Sequence, residues 1–333
     1  MERTTAILDI PAATFLPGLI QRAAEMEFSV QDTPRGKAVE LYYGTLEVID
    51  TGERTTVELI SSDATRLLGL RDTLTWHLDQ VGLKHCITWA KMRTAGANPA
   101  NLTLGHVVRV TEVSPNFTRV RLAGNYTRFL EGGLHFRLLM GPTGLGWPSC
   151  DDTGGTIWPG GVEAWHRPAY TVRDICPEGR WIDFDIFRHE GGRVNDWAAL
   201  LTMGEEVGIT GPGGTGHVDA PWVGLLGDET ALPAIARMIR GAPASSRGEA
   251  VILVPTESDI QPVACPEGIS LRWIFRDRGD TLIDAFRMMP IPEGPRYVFF
   301  AAEKSDAALA REHAAVVGLK RGEVHALAYW TAD

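Results

Sequence analysis

The chain has 333 residues, enough for two or three domains at about 100–200 residues each, and its 44% hydrophobic and 22% charged composition excludes a disordered chain. Lys+Arg 32 against Asp+Glu 42 leaves a formal charge of −10, which opposes sequence-independent attraction to nucleic acid or to anionic lipid. Gly 36 and Pro 20 exceed the usual share, a sign of many turns and short strands.

Residues 1–93 read as a compact α+β unit. Thr4 to Ile10 suits a strand, and Ala12 to Glu27 predicts a helix with Phe15, Leu19, Ala23 and Met26 on one face. Lys37 to Ile49 and Thr55 to Ile60 alternate as strands. Ser61-Ser62-Asp63 offers a cap for a helix through Leu67, Leu70, Leu74 and Leu78, and His85 to Ala90 closes the unit as a strand. Residues 94–101 are small, polar and Pro/Gly-bearing, as a linker is. From Leu104 to Val218 the pattern shifts to short β segments at Gly105 to Val113, Phe117 to Leu122, His135 to Met140, Ala169 to Asp174, Trp181 to Arg188 and Glu206 to Thr210. Such spacing predicts a small antiparallel barrel, and most of the glycine and proline excess lies there. From Pro221 strands and helices alternate to Trp330, which predicts a parallel sheet with crossover helices.

Cys86, Cys150, Cys176 and Cys265 are far apart, with no CxxC pair and no Cys-His cluster, so no resident metal site is expected. Met1 to Leu19 has neither a basic start nor an unbroken apolar run, and no stretch approaches the roughly 20 apolar residues of a membrane span. The expected setting is the cytoplasm, with four reduced thiols; one incidental disulfide is the alternative.

Four stretches carry chemistry. Arg167-Pro168-Ala169-Tyr170-Thr171-Val172-Arg173 has the form R-x-x-Y-T-x-R. Asp183 to Ala198 reads as a strand, His189, a Gly191-Gly192 turn and a helix start. Gly224-Leu225-Leu226-Gly227-Asp228-Glu229-Thr230-Ala231-Leu232-Pro233-Ala234-Ile235 is a strand, a turn and a helix. Tyr297 to Glu303, a helix over 307–318 and Val324 to Trp330 close the chain. In order and spacing these stretches, over about residues 102–330, resemble the siderophore-interacting, ferric-siderophore reductase family, a branch of the ferredoxin-reductase-like flavoenzymes. Arg193-Val194-Asn195 departs from that family's more usual Pro-Ala-Ser/Thr, Ala302 and Ala328 replace glycines, and Phe300 is near a usual tryptophan. The first 93 residues resemble a small bacterial domain family of unknown function, which brings no chemistry with it.

The resemblance implies a multidomain chain: a small α+β domain of unknown function (1–93), an antiparallel Greek-key β-barrel that binds FAD (102–220), and a C-terminal α/β parallel-sheet domain that binds NAD(P)H (221–333). It implies that Arg167 neutralises the FAD pyrophosphate with a bidentate fork, that Tyr170 lies against the isoalloxazine or ribityl, and that Thr171 hydrogen-bonds near N5. Tyr170 and Thr171 are thus the expected catalytic pair, with Arg173 on the same flavin-binding strand. His189, Gly192, Val194 and Asn195 are expected to hold the second half of the pyrophosphate through backbone N–H groups at a helix start; an ordinary turn with Asn195 as helix cap is the alternative. Asp228 and Thr230 are expected at the dinucleotide phosphate, Glu303 at the carboxyl end of a parallel strand, and Tyr329 and Trp330 as walls of the flavin or nicotinamide pocket. The Gly224 to Thr230 strand-to-helix turn that opens the last domain is not a G-x-G-x-x-G, which argues against a separate Rossmann FAD domain.

The reaction implied is hydride delivery from NAD(P)H to FAD and one-electron transfer to Fe(III) in a docked siderophore, two Fe(III) per NAD(P)H. Fe(II) binds hard oxygen chelators far less tightly, so reduction is release. Lys304, Arg276, Arg278 and Lys320 are candidates to receive an anionic ferric chelate, each also readable as solvated surface charge. Glu257 and Asp259 would favour a free ribose 2′-OH, while Arg276 or Arg278 could reverse that, so NADH against NADPH stays open. A monomer acting on a ferric siderophore or other ferric chelate, without nucleic acid or membrane, is expected. The alternatives are a general flavin-dependent electron donor to other ferric chelates or haem, and a non-catalytic siderophore-binding protein.

Overall fold

The computed structural model describes residues 1–26, 28–92, 94–131, 133–214, 220–320 and 322–332. Glu27, Arg93 and Val218, at ends of expected segments, and Asp333 lie outside the described residues. The backbone groups into two compact units, 1–102 with 141–165, and 103–140 with 166–333. The sequence reading divides the chain into three and leaves 141–165 inside the barrel segment.

The first unit starts with β1 (Glu2–Leu8), α1 (Ala12–Glu25), β2 (Val30–Thr33), β3 (Gly36–Leu41), β4 (Gly44–Asp50), β5 (Thr55–Ser61), α2 (Ala64–Gln80) and β6 (Ile87–Trp89). The strands form an antiparallel sheet in the order β2-β3-β4-β5-β1-β6. Alternation decides its inner face: Ala6 and Leu8, Leu46 and Val48, and Val57 and Leu59 are buried at every second position. Against them α1 lays Phe15, Leu19 and Ala23, and α2 lays Leu67, Leu70, Leu74 and Leu78. Met26, expected on the same face of α1, is 40% exposed instead. The Asp63 carboxylate accepts from Arg66 N at 2.9 Å and caps α2. The expected closing strand is short because Lys84–Cys86 forms a 3-10 turn before it.

The second unit opens with β7 (Leu102–Ser114), β8 (Phe117–Ala123) and β9 (His135–Leu139). The excursion over 141–165, with two-residue strands β10 (Ser149–Cys150) and β11 (Thr156–Ile157), belongs to the first unit, where Arg71 donates to Thr153 O at 2.6 Å. The chain returns as β12 (Ala169–Thr171), β13 (Asp174–Ile175), β14 (Trp181–Phe187), α3 (Arg193–Leu200) and β15 (Glu206–Gly213). The resulting antiparallel barrel-type sheet has the order β12-β9-β15-β7-β8-β14-β13 and is filled by Val120, Leu122, Phe129, Phe136, Ile182, Phe184 and Ile186.

The rest is α/β: β16 (Trp222–Gly227), α4 (Leu232–Gly241), β17 (Arg247–Val254), β18 (Ile269–Phe275), α5 (Leu282–Met288), β19 (Arg296–Glu303), α6 (Lys304–Val316) and β20 (Val324–Trp330). All pairings are parallel, in the order β18-β17-β16-β19-β20. One face packs Ala231, Ile235 and Ile239 of the α4 region, the other Ile283, Phe286 and Ala310 of α5 and α6, so the strands are apolar on both sides. The order reverses between β16 and β19, which places a ligand crevice at the carboxyl ends of those strands. Gly227 is needed there, because a Cβ would meet Ala231 Cβ at 2.5 Å and Ile235 Cδ1 at 2.7 Å.

Candidate functional site

At that carboxyl end lies a cleft of about 430 Å³, lined from the barrel by His135, Tyr170, Thr171, Asp185 and His189, and from the parallel-sheet side by Glu229, Thr230 and Tyr329. The register of two strands builds its centre. Thr171 of β12 is opposite His135 of β9, and His135 Nδ1 is 3.1 Å from Thr171 Oγ1. On its other side His135 Nε2 is 3.4 Å from the Tyr329 hydroxyl, so one imidazole joins the expected flavin strand to the last strand of the chain. Burial, with the charge of Arg237 added, holds the His135 pKa below the usual histidine value.

Tyr170 packs its ring against Phe136 and Phe184, with centroids 6.2 and 5.6 Å apart. Burial pushes its hydroxyl pKa upward, and burial with Tyr297 and Asp228 nearby does the same to Tyr329. Both phenols therefore stay protonated. His189 is exposed at the rim, its ring tilted over Phe187. Next to it Gly192 opens α3 at φ 94° and, as a glycine, offers the helix start no side-chain cap; a Cβ at Gly192 would come 3.1 Å from His189 Cε1. Val194 is 6% exposed and faces the barrel core, so only its backbone is available to a ligand. Asn195 does not cap the helix, since Gly192 holds that position.

Several other expected residues are engaged in bonds of the fold itself. Asp228 is fully buried and accepts from Thr230 N at 2.9 Å, Thr230 Oγ1 at 2.6 Å and Trp330 Nε1 at 2.7 Å; it shapes the turn that presents Thr230. Arg173, 5% exposed, lies 3.3 Å from Asp185 Oδ2. Glu303 caps α6, accepting from Ser305 N and Oγ and from Ala332 N, and these bonds lower its pKa. Arg173, Asp228, Glu303 and Trp330 do not line the cleft. Arg167, half-buried, is beside it in sequence and accepts at its backbone oxygen from Arg137 Nη1.

The four expected chelate-binding cations separate. Arg276 bonds Glu229 at 3.1 Å, and Arg278 bonds Glu257 and stacks over Phe275. Lys320 follows α6 and precedes β20, which places it at the amino end of the parallel sheet, away from the crevice; this corrects its assignment to the substrate site. Lys304, at the start of α6 beyond β19, is at the carboxyl end. Asp259, expected at a ribose, is 0% exposed and accepts from Ser114 Oγ at 2.9 Å and from Asn116 N at 3.0 Å and Nδ2 at 2.8 Å; burial and these bonds turn it away from any ligand, so the ribose role is withdrawn.

His135 and Glu229 are site residues that the sequence reading missed. Glu229 is 5% exposed, and burial and the Asp228 charge raise its pKa against the pull of Arg276. It stood in the quoted G-D-E-T turn without a role. The aromatic face of Tyr170, the hydroxyl of Thr171 and the uncapped glycine cradle at Gly192 are groups that fit a flavin dinucleotide.

Two family models match: a siderophore-interacting FAD-binding domain over residues 106–216 and a siderophore-interacting protein domain over residues 220–333. Ferric vibriobactin reductase ViuB of Vibrio cholerae is 28% identical over 247 residues, 67% of this chain and 87% of that protein. An NADPH-dependent ferric-chelate reductase of Escherichia coli is 25% identical, over 68% of this chain and 91% of that protein. Among solved structures, the siderophore-interacting protein SipS of Aeromonas hydrophila superposes with a TM-score of 0.58 at 26% identity, covering 70% of this chain and 99% of that one. With its barrel followed by a parallel sheet and the two domain matches in the same order, this chain belongs to the siderophore-interacting protein family, and its cofactor is FAD.

Proposed function

We propose that the chain is a cytoplasmic, monomeric NAD(P)H-dependent FAD enzyme that reduces Fe(III) in a ferric siderophore to Fe(II) and so releases the metal. The observation that carries this reading is one cleft shared by Tyr170 and Thr171 of the barrel and by Glu229, Thr230 and Tyr329 of the parallel-sheet domain. The substrate class is supported by the ferric vibriobactin and ferric-chelate reductases among the relatives. Bound FAD supplies the conversion between a two-electron donor and a one-electron acceptor.

The chain's own groups then have distinct tasks. The Tyr170 ring offers a face for the isoalloxazine or ribityl. The Tyr329 phenol, kept protonated by burial, donates to His135 Nε2, which leaves the proton of a neutral imidazole on Nδ1. That N–H donates to Thr171 Oγ1, and the Thr171 O–H is freed to donate into the cleft toward flavin N5. Arg167 and the amides at Gly192, Val194 and Asn195, with His189 beside them, hold the pyrophosphate. Thr230 and the start of α4 receive the phosphates of NAD(P)H, and Lys304 attracts an anionic chelate.

The test is anaerobic. Reduction of the protein-bound flavin by NADH or NADPH should bleach its visible absorbance, and a ferric siderophore should restore it with Fe(II) appearing in a ferrous trap. Bleached flavin that persists with every ferric chelate tried would remove the substrate assignment. Faster reoxidation by artificial acceptors than by any ferric siderophore would favour a general electron donor.

A further inference from the structure

A pyridine nucleotide on a doubly wound sheet lays its adenosine ribose at the carboxyl end of the second strand, where a carboxylate suits a free 2′-OH and an arginine suits a 2′-phosphate. Here the second strand is β17, and two single 3-10 turns stand at that end, Glu257–Asp259 after β17 and Arg276–Arg278 after β18. Asp277 N donates to Pro255 O at 3.2 Å, which fixes the second turn beside the first. The arginines able to meet a 2′-phosphate from these turns are Arg276 and Arg278.

Both are already committed. Arg276 Nε donates to the two carboxylate oxygens of Glu229 at 3.2 Å each, and its Nη2 donates to Oε2 at 3.1 Å. Glu229 is 5% exposed and lines the cleft beside Thr230. Asp228 Oδ2 is 3.7 Å from the same guanidinium. Burial raises the pKa of Asp306 while the Arg276 charge opposes the rise, so carboxylates of the β16 turn and of α6 share one cation. Arg278 bonds Glu257 and lies 4.2 Å over the Phe275 ring. To hold a 2′-phosphate, the chain must either break the Glu229–Arg276 pair, which leaves a nearly buried carboxylate without its cation, or keep a dianion among these carboxylates. A free 2′-OH requires neither, and Glu257 is exposed to accept from it.

We propose that the chain selects NADH over NADPH and that Glu229 is the specificity-determining residue, because it holds Arg276 away from the 2′-phosphate position. The assignment rests on the NAD(P)H-dependent reduction proposed for the cleft and narrows it to one cosubstrate.

Binding to the full-length flavoprotein, photoreduced beforehand under anaerobic conditions, tests it, since a flavin that is already reduced cannot take the hydride and the nucleotide stays intact. Nicotinamide fluorescence anisotropy should show NADH bound about tenfold more tightly than NADPH. Glu229→Gln keeps the shape and removes the charge, so it should bring the two affinities together through tighter NADPH binding. Adding Arg276→Ala to that variant removes the released cation and should restore the preference. An unchanged visible spectrum of the oxidised bound flavin would verify that each variant is folded. Equal or tighter binding of NADPH by the natural protein, an unchanged ratio in Glu229→Gln, or a narrowed ratio that persists in the double variant would overturn the proposal. Tight NADH binding without bleaching of the oxidised flavin would instead remove the reductase reading and leave the nucleotide preference standing. Absence of binding by both nucleotides would remove the two together.

Discussion

Trp330 donates its indole N–H to the buried carboxylate of Asp228 over 2.7 Å, which ties the last strand of the parallel sheet to the turn after its first. Both residues stood in the sequence as ligand contacts. Their geometry makes them the frame behind Thr230, whose amide and hydroxyl bond the same carboxylate. Trp330→Phe removes one of these donors and should lower stability by about 1–3 kcal/mol. Asp228→Ala should cost more and also weaken NAD(P)H binding, because Thr230 loses its orientation. Urea denaturation and the pyridine-nucleotide KM measure the two effects separately.

Asp185 holds two guanidinium groups. Arg119 meets it with paired bonds of 2.6 and 2.8 Å, and Arg173 lies 3.3 Å away, 5% exposed. One rung along the same strand pair, Asp183 binds Arg121 at 2.7 Å, with Arg121 stacked on Trp181. Asp185→Ala strands two cations in the sheet and should destabilise by about 3–5 kcal/mol. Asp183→Ala should cost less, since Arg121 keeps its ring contact and partial access to water. Comparison of the two denaturation curves decides the order.

The His135 pKa is lowered in the folded state by burial and Arg237, so the unfolded chain binds the proton more readily. Stability from this residue is therefore full above the unfolded value of about 6.5 and is lost as pH falls from there toward the folded value. His135→Gln should lower stability at pH 7.5 yet flatten its fall between about pH 7 and 5. The difference between the two pH profiles is the measurement; parallel profiles would remove His135 as their cause.

Periodicity carried the fold. The Leu67, Leu70, Leu74 and Leu78 spacing of α2 and the alternation of β5 leave few alternatives, and both are where the sequence puts them. β2 was not legible, because Val30–Thr33 is exposed at its centre and half-buried at its ends and so carries no apolar alternation. Residues 141–165 were assigned to the barrel because a Gly/Pro-rich stretch has no period to show which unit it joins. In the site, Tyr170 and Thr171 were legible from their motif, whereas His135 was one histidine at a strand start. Only pairing with β12 brings it to Thr171. Lys320 shows the opposite failure: charge marks a surface, but the topology decides which end of the sheet it occupies.

Gly192 tests the phosphate cradle. Its φ of 94° is outside the range comfortable for other residues, and a Cβ would press on His189 Cε1 at 3.1 Å. Gly192→Ala should cost about 1–2 kcal/mol of local strain and reduce FAD affinity by more than tenfold with a smaller change in the melting of the apoprotein. Flavin fluorescence titration and thermal melting supply the two numbers.

Asp259 and Glu257 follow the same strand of the parallel sheet, and their environments assign them opposite fates. Asp259 is enclosed by Ser114 and Asn116 of the barrel and by Thr256, a carboxylate that fastens the barrel to the α/β domain. Glu257 is exposed and paired with Arg278 at the surface. Asp259→Ala should therefore lower stability by about 2–4 kcal/mol, since four donors lose a charged acceptor, while the ratio of NADH to NADPH rates stays unchanged. Glu257→Ala should leave stability nearly as it was. It also frees Arg278 for a 2′-phosphate, which shifts that ratio toward NADPH. A shift of the ratio in Asp259→Ala with none in Glu257→Ala would return the ribose contact to Asp259.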